Sequence, residues 1–344
     1  MNESTFTQNT PAANPKKSRR KPNVPAIVLF IICLILITVL VFITIKYTKL
    51  TKKTSAATIS EEKLVYEEAG EKILLEDMKG RLSSGETVLS MLKDYYPENL
   101  VYVDNGRFIF ADILNTLAKN NFKKENFKMD SNNELTYSEN GTVVSHKGID
   151  VSQFQGVIDF SKVKTSGVEY AIIRCGYRGY GSGALQEDPN FKDNIEGALT
   201  NDIAVGVYFF TQAITKDEAI EEADYVIDKI KPYNVTYPIV LDVEEILGDT
   251  YRQQSLTKEE LTDVVIAFCE RVKEKGYTPM IYGNLKCFIG KLDLVRLESY
   301  DKWFAYYDDE LYYPYAVSMW QYSESGSVAG IDGNVDLNIS FKKW

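Results

Sequence analysis

The chain has 344 residues, of which 44% are hydrophobic and 12% aromatic, so it can bury a sizeable core and has room for one large domain and a smaller segment. After residue 53 it carries 30 basic and 48 acidic residues, a net charge of −18. A body this acidic lacks the basic footprint that phosphate backbones require, which argues against nucleic acid as a partner.

The N-terminal part consists of a polar, basic segment, residues 1–23, and an uncharged apolar run, residues 24–45. A run of this length can cross a hydrocarbon core of about 30 Å as a helix. A cleaved signal peptide is the alternative, but its apolar region is shorter and ends at a small-residue cleavage site that is missing here. Basic residues are slightly more numerous before the run than after it, which weakly favours a cytoplasmic N-terminus. We therefore predict a cytoplasmic tail over 1–23 and a single-pass transmembrane helix over 24–45.

Residues 46–146 are predicted to form an extracellular stalk with a small α+β module. Residues 55–94 favour a helix, which the Ser-Ser-Gly triplet at 83–85 should interrupt. The Asn-Gly pair at 105–106 stands between two alternating apolar runs, which is the strongest short-range signal for a β-hairpin. A short helix is expected over 111–120. The simplest interpretation of the segment is a spacer that holds the next domain away from the membrane.

From residue 147 onwards, strands alternate with helices. Capping boxes at 215–218 and 257–260 open two of the helices, and long helical patterns disappear after residue 283. This alternation indicates a parallel sheet, and eight strands in so short a stretch favour a closed α/β barrel. An open doubly wound sheet is the alternative, but it would normally show a phosphate-binding turn after its first strand. The eight strands are expected at 148–152, 169–175, 204–211, 237–244, 278–283, 302–307, 316–322 and 334–339.

Four carboxylates stand at the ends of three of these predicted strands. Asp150 ends the first strand, Asp242 and Glu244 end the fourth, and Asp336 lies on the eighth. Active residues of such barrels lie at the C-terminal ends of strands, and the first and eighth strands become neighbours when the barrel closes. A single acid after a strand is as often a helix cap or a solvated loop residue. Four together predict one central cavity surrounded by acids, from which the next residue, Glu245, should face away.

Aromatic residues collect near the same strand ends. Ordinary core packing is the default interpretation of each, although together they fit a groove that stacks on sugar rings. The four cysteines lack metal-type spacing and the chain has one histidine, so a zinc cluster or a histidine-based triad is not expected. We predict neither a metal nor an organic cofactor. The aromatic candidates include Tyr208, Tyr282, Trp303, Tyr307 and Trp320.

Eight segments of residues 147–344 follow one another in the order of a known family. The first, GIDVSQFQGVIDFSKVKTSGVEYAIIRCGYRG at 148–179, is followed by DPNFKDNIEGA, AVGVYFF, YPIVLDVE, PMIYGN, WFAYY, MWQYS and GNVDLN. Together they resemble glycoside hydrolase family 25, the 1,4-β-N-acetylmuramidases or lysozymes. The resemblance implies an irregular TIM-type barrel with five β/α units and then three strands with reduced helices. It also implies hydrolysis of the bond between N-acetylmuramic acid and N-acetylglucosamine in peptidoglycan glycan strands.

The resemblance also assigns roles by motif. Glu244 resembles the general acid and Asp242 its partner carboxylate, while Asp150 and Asp336 resemble the other acids of the cluster. Phe154 stands where many members of the family carry Trp, and Phe209 stands where some carry His. Both differences should affect the affinity for sugars rather than the catalytic chemistry. The expected substrate-binding residues are Tyr208, Tyr282, Trp303, Tyr307, Trp320 and Gln321.

The sequence is compatible with two mechanisms of glycosidic cleavage and with three functions. Asp242 and the enclosed mouth should raise the pKa of Glu244, as a general acid requires. A base-activated water would invert the anomeric centre, whereas attack by the substrate's acetamido group, steadied by Asp242, would retain it; the two-residue spacing favours the second. A catalytically idle wall-binding protein and a hydrolase of another N-acetylated glycan are the alternative functions. The predicted anchor would hold the barrel on the wall side of the cell membrane and favours local wall remodelling.

Overall fold

A computed structural model of the chain describes residues 24–246 and 248–344. The predicted cytoplasmic tail, residues 1–23, lies outside the described residues. The chain divides into two compact units, one ending at Glu86 and the other spanning Thr87–Trp344. Each unit is described by itself.

The described part of the first unit consists mainly of one long helix, α1 (Val24–Ser83). The predicted apolar helix and the predicted stalk helix are parts of this single element. Five threonines, residues 44, 48, 51, 54 and 58, donate their hydroxyl protons to carbonyls one turn earlier at 2.8–3.1 Å, which satisfies them within the helix. Among the described residues, α1 is the helix long and apolar enough to cross a bilayer, by length and composition alone. It ends at the predicted Ser-Ser-Gly triplet, where Gly85 has a φ of 91°.

The second unit begins with residues 87–145, which share a hydrophobic core with the barrel that follows. Helix α2 (Val88–Tyr95) precedes a hairpin of β1 (Asn99–Asp104) and β2 (Arg107–Asp112). Asn105 and Gly106 both have positive φ, as a type I′ turn requires, so the predicted hairpin is confirmed. A second small sheet contains β3 (Phe127–Met129), β4 (Leu135–Glu139) and β5 (Thr142–Val143).

The predicted helix over residues 111–120 is wrong. Ala111 and Asp112 complete β2, and the following residues form turns. These turns are held against the barrel because the Leu114 amide donates to the Tyr315 hydroxyl at 2.9 Å and Lys119 forms a β-bridge with Tyr315. Tertiary contacts have overridden a weak local helical preference.

Eight strands of the second unit form a closed barrel, as predicted. Seven of the strands run in the same direction, and the first five are separated by four helices, α3 (Phe160–Thr165), α4 (Phe191–Thr200), α5 (Lys216–Ile230) and α6 (Lys258–Glu274). A π-helical turn, Cys287–Lys291, is the helical element after the fifth strand. The strands are β6 (His146–Val151), β7 (Tyr170–Arg178), β9 (Ala204–Phe210), β10 (Ile239–Asp242), β11 (Pro279–Asn284), β12 (Asp301–Ala305), β13 (Met319–Gly326) and β14 (Val335–Ser340), with a short edge strand β8 (Leu185–Glu187) beside β7.

The last strand departs from the predicted parallel arrangement. Strand β14 is antiparallel to both of its neighbours, β13 and β6. Its beginning, rather than its end, therefore lies at the rim formed by the C-terminal ends of the other strands. The eight residues between β13 and β14 are too few for a parallel crossover, which needs about a dozen.

Two hydrophobic layers enclose the barrel wall. The larger layer lies between the strands and the surrounding helices, and a smaller one fills the barrel interior. Tyr170 fills the interior opposite Gly148, where a Cβ atom would come within 2.1 Å of the Tyr170 ring. Trp303 lies above it and donates its indole proton to Asn338 at 2.8 Å. This packed interior forms the floor of the site at the barrel mouth.

Candidate active site

Asp150 and Asp336 meet where the barrel closes. They are direct partners in the antiparallel register of β6 and β14. Asn338 and Gln321 each donate an amide proton to Asp150 Oδ2, at 2.7 and 2.9 Å. Burial raises the pKa of Asp150, and these two amides partly offset the effect. Burial and the charge of Asp150 both raise the pKa of Asp336, so the Asp336 carboxyl keeps a proton that it shares with its partner.

Asp242 and Glu244 lie across the mouth from that pair. Asp242 is the last residue of β10 and is 6% exposed, whereas Glu244 lies in the loop beyond the strand, so the prediction that both belong to the strand is wrong for Glu244. Burial and the neighbouring charge of Glu244 raise the pKa of Asp242 well above its usual range. Burial also raises the pKa of Glu244, and the nearby Tyr282 hydroxyl partly offsets this. Within the described part of the chain, Asp242 Oδ1 is buried without a hydrogen-bond partner.

One cavity of about 180 Å³ contains all four acids. Three of them extend from strands β6, β10 and β14, and the fourth from the loop after β10. The C-terminal rim of the barrel brings them together although Asp336 arrives from the start of its strand. The cavity is lined by Asp150, Tyr208, Asp242, Glu244, Tyr282, Trp303, Tyr307, Gln321, Glu324 and Asp336.

Gln321 connects the aromatic wall of this cavity to the acids. Its side-chain oxygen accepts protons from the Tyr282 and Tyr307 hydroxyls at 2.7 and 3.1 Å, while its amide donates to Asp150. These bonds fix the amide orientation, because the oxygen must face the two phenols. Burial raises the pKa of Tyr208 well above its ordinary value, so this wall offers neutral phenols at physiological pH.

Trp320 does not line the cavity, contrary to its predicted role in substrate binding. It is fully buried in the outer layer, where its ring meets the edge of Phe127 and its indole nitrogen donates to the Tyr306 carbonyl at 2.7 Å. Side chains alternate along a strand, so the inward position of Gln321 turns Trp320 outward. Glu245 likewise faces away, as expected, and forms ion pairs with Lys286 and Lys291.

Arg174 does not line the cavity, but its charge acts on Asp242, and its role was not predicted from the sequence. It lies on the inner face of β7, is 9% exposed, and its Nε donates to Asp188 at 2.6 Å. Its guanidinium lies 4.9 Å from the ring centre of Phe154, and in the described structure its Nη2 has no partner. Its positive charge lowers the pKa of Asp242 and so opposes the effect of burial. The signal for it was the alternation along residues 170, 172 and 174, which places an arginine on the inner face.

Glu324 is the second missed residue. It follows Gln321 on β13, after a register shift in the pairing with β14. A bulge moves later side chains out of simple alternation, so strand periodicity could not place it. Its charge contributes to the raised pKa of Asp336. No group of three or more His, Cys, Asp or Glu side chains in residues 24–246 and 248–344 is arranged as a metal site, and the absence of a cofactor stays a prediction.

Solved structures with a similar fold include the modular autolysin LytC from Streptococcus pneumoniae, with a TM-score of 0.50 and 24% sequence identity over 70% of this chain and 57% of that one. The spore cortex lytic enzyme SleM from Clostridium perfringens has a TM-score of 0.51 and 24% identity over 59% of this chain and 68% of that one. At this identity the two likenesses concern the fold alone.

Curated relatives match the same part of the sequence. The chain is 30% identical over 198 residues to the autolytic lysozyme of Clostridium acetobutylicum, which covers 56% of this chain and 55% of the relative. It is 28% identical over 207 residues to lysozyme M1 of Streptomyces globisporus, covering 56% of this chain and 66% of the relative. The chain thus spans about half the length of the first relative and two thirds of the second.

The family comparison covers the barrel and its acids. The sequence profile of the family described as Glycosyl hydrolases family 25 matches residues 149–331, more than half of the chain. The match begins one residue before Asp150 and includes both Asp242 and Glu244, while Asp336 follows it closely. The chain belongs to glycosyl hydrolase family 25.

Proposed function

We propose that this protein is a membrane-anchored peptidoglycan hydrolase that cleaves the β-1,4 bond between N-acetylmuramic acid and N-acetylglucosamine. The observation that carries the proposal is the meeting of Asp150, Asp242, Glu244 and Asp336 in one cavity of a family 25 barrel. All four carboxyl groups have a raised pKa, which is typical of acid/base sites rather than of solvated surface acids.

Glu244 acts as the general acid in this proposal. Its raised pKa supports the role, because a donor must still hold its proton at the working pH. Glycosidic cleavage requires protonation of the leaving oxygen as the bond to the anomeric carbon breaks. The proton passes from the Glu244 carboxyl to that oxygen, and Glu244 is left as a carboxylate that can accept a proton from the water completing hydrolysis.

Asp242 orients the acetamido group of the sugar whose glycosidic bond is cleaved. The unpartnered oxygen Oδ1 supports this, since a buried acceptor without a donor gains most from a substrate N–H group. The acetamido oxygen then attacks the anomeric carbon, and water opens the resulting ring with retention of configuration. Arg174 opposes the rise in the pKa of Asp242 and thereby favours the carboxylate form.

The remaining polar groups hold the substrate and the acids in position. Asp150 and Asp336 carry a shared proton on the opposite side of the mouth, where hydrogen bonds from Asn338 and Gln321 restrict Asp150. Aromatic side chains provide flat faces on which sugar rings stack. The proposed substrate-binding residues are Tyr208, Tyr282, Trp303, Tyr307 and Gln321.

The proposed topology is a cytoplasmic tail (1–23), a transmembrane helix (24–45), an extracellular stalk and small α+β module (46–146) and the hydrolase barrel (147–344) on the wall side. The length and apolar composition of α1 support the anchor. Recovery of the chain with membranes after alkaline carbonate washing tests it. Recovery of a shorter chain in the culture medium would contradict it and indicate a cleaved signal sequence.

The activity is tested by incubating the full-length chain, purified in detergent, with peptidoglycan and identifying the new reducing ends after borohydride reduction. Muramitol ends are expected, and the Glu244→Gln variant should release them about 10²- to 10⁴-fold more slowly. Glucosaminitol ends would overturn the bond assignment. Binding without release would indicate a catalytically idle wall-binding protein, and release from chitin but not from peptidoglycan would indicate another N-acetylated glycan.

The anomeric form of the first product distinguishes the two mechanisms. Proton NMR during the first minutes of the reaction should show the β-anomer, because acetamido assistance retains configuration. Initial formation of the α-anomer would indicate direct attack by water and would remove the proposed role of Asp242.

A further inference from the structure

A second cavity of about 380 Å³ adjoins the cavity of the acids. Tyr307 and Glu324 line both, so these two side chains stand at the boundary between the cavities. The volume lies within the range of about 300–1,000 Å³ that is typical of ligand pockets. This second cavity contains none of the four acids, and apart from Tyr307 and Glu324 its lining residues have no part in the proposed chemistry.

One wall of this cavity comes from outside the family match. Met129, Asn132 and Asn133 belong to β3 and to the turn between β3 and β4, whereas the family profile begins at residue 149. The opposite wall consists of Tyr307, Asp308 and residues 322–327 of the barrel. The family barrel alone would thus leave this space open on one side.

The turn that carries Asn132 and Asn133 is held in a defined conformation. Asp130 Oδ1 accepts protons from the amides of Asn132 and Glu134, each at 2.8 Å, and Asn133 adopts a φ of 60°. These hydrogen bonds lower the pKa of Asp130, so the carboxylate stays charged and the turn stays closed at physiological pH. The two asparagine side chains are exposed at the edge of the cavity.

The hairpin of β3 and β4 is also fixed to the barrel. Phe127 packs edge-on against Trp320 at a centroid distance of 5.5 Å, and the Leu135 amide donates to the Tyr322 hydroxyl at 3.3 Å. Leu135 is buried in the shared core, and the buried Tyr137 ring contacts Phe341. A binding wall built on such a support loses little conformational entropy when a ligand arrives.

The lining chemistry fits sugars. Asparagine amides, the hydroxyls of serines 323, 325 and 327 and the half-exposed ring of Tyr307 provide neutral hydrogen-bonding groups and one flat apolar face. Asp308 and Glu324 are the charged residues of the lining. Among the described residues, no Lys, Arg or His lines this cavity. These two acids repel any anionic group of a ligand, so the lining fits the neutral hydroxyl and acetamido groups of the sugars.

We infer that residues 129–133 extend the substrate groove, so that this second cavity binds sugars of the glycan strand beyond those at the site of cleavage. The inference rests on the proposed hydrolase function and adds a preference for long strands. It assigns the segment before the family barrel a role in substrate binding, in addition to its packing against that barrel.

The test compares cleavage of peptide-free octasaccharide and tetrasaccharide strands by the full-length chain in detergent. The wild-type chain should have a higher kcat/KM for the octasaccharide. Combining Asn132→Ala with Asn133→Gly should lower the octasaccharide-to-tetrasaccharide ratio of kcat/KM by about three- to tenfold, the loss expected for one or two hydrogen bonds. Glycine is chosen at 133 because it accepts the positive φ without strain.

The matched control is Asn140→Gly. Asn140 has a φ of 50° in the turn between β4 and β5 and does not line the cavity. It should leave the ratio unchanged, and thermal unfolding of both variants checks that the small sheet stays folded.

Three outcomes would overturn the inference or its basis. Equal kcat/KM for both strand lengths in the wild-type chain would overturn the inference while leaving the proposed function intact. A length preference that appears only with peptide-bearing strands would assign the cavity to the stem peptide instead. Failure to cleave either strand, with peptidoglycan also uncut, would refute the proposed function itself.

Discussion

Asp150 and Asp336 lie directly opposite each other on the antiparallel strands that close the barrel. Directly opposed side chains in such pairs have Cβ atoms about 4.5–5.5 Å apart, which is too close for two buried carboxylates to be charged together. The pair therefore carries a shared proton, and the two amides on Asp150 direct that proton towards Asp336. On the other side of the mouth, Asp242 and Glu244 form a second pair that is influenced by the first.

Replacing Glu244 by Gln should lower kcat by about 10²- to 10⁴-fold, the usual contribution of a positioned general acid. The amide keeps the shape of the side chain but cannot protonate the leaving oxygen. The matched control is Glu245→Gln, because Glu245 faces away and pairs with Lys286 and Lys291. Turnover measured on peptidoglycan should fall only in the first variant. A Glu244 variant with wild-type kcat would remove the acid assignment.

Replacing Asp242 by Asn should stabilise the protein at pH 7. The pKa of Asp242 is raised in the folded chain, so the folded state keeps a proton that the unfolded state releases above about pH 3.8. The free energy of unfolding of the wild-type chain therefore falls as the pH rises from there towards the raised pKa. Asparagine removes this loss, and urea unfolding at pH 4 and pH 7 should show a stabilisation that grows with pH.

The matched control for that experiment is Asp301→Asn. Burial raises the pKa of Asp301, but hydrogen bonds from Lys342 and Ser318 outweigh this effect and hold the pKa below its usual range. The free energy that it contributes is present above the unfolded pKa and is lost as the pH falls through the folded one. Its replacement should destabilise the protein at pH 7 by about 1–3 kcal/mol. The same sign of change for both variants would contradict the pKa assignments.

Replacing Arg174 by Gln should move the acidic limb of the kcat/KM profile to higher pH. The positive charge of Arg174 lowers the pKa of Asp242, so its removal makes that carboxylate harder to form. Arg174→Lys retains the charge and should leave the limb closer to the wild-type position. If the pH profile of Arg174→Gln is the same as that of the wild-type chain, Asp242 is not the group whose ionisation sets the acidic limb.

Replacing Trp320 by Phe should change stability rather than substrate affinity. The indole proton bonds to the Tyr306 carbonyl and the ring packs against Phe127, so the substitution should cost about 1–3 kcal/mol of unfolding free energy. KM for peptidoglycan strands should stay at the wild-type value. An increase in KM without loss of stability would instead support the role that its motif suggested.

The sequence was informative where a physical pattern was long or strongly constrained. Parallel barrel strands are buried on both faces, so they read as apolar runs, and all eight were predicted to within a few residues. Asp150, Asp242 and Glu244 were found because each stands near the end of such a run, whereas Asp336 lies at the start of its strand. The Asn-Gly hairpin was predicted because few other residues adopt two successive positive φ values.

Features that depend on a neighbouring strand were harder to predict. The outward direction of Trp320 and the inward direction of Arg174 follow from alternation, and both could have been predicted by counting along β13 and β7. The antiparallel direction of β14 was indicated by the short connection before it. The position of Glu324 depends on a β-bulge, and the turns at 113–120 depend on contacts with Tyr315, which no local pattern encodes.

Strand β14 is the last strand of the barrel in chain order, and its pairing closes the barrel. This strand lies between β13 and β6, so it joins the last part of the barrel sequence to the first, and it supplies both Asp336 and Asn338. Until residues 335–340 have left the ribosome and paired, Asp150 lacks its partner acid and one of its two amide donors, and the barrel is open. A nascent chain therefore lacks a complete acid cluster until residues 335–340 have been made and have paired with β6 and β13.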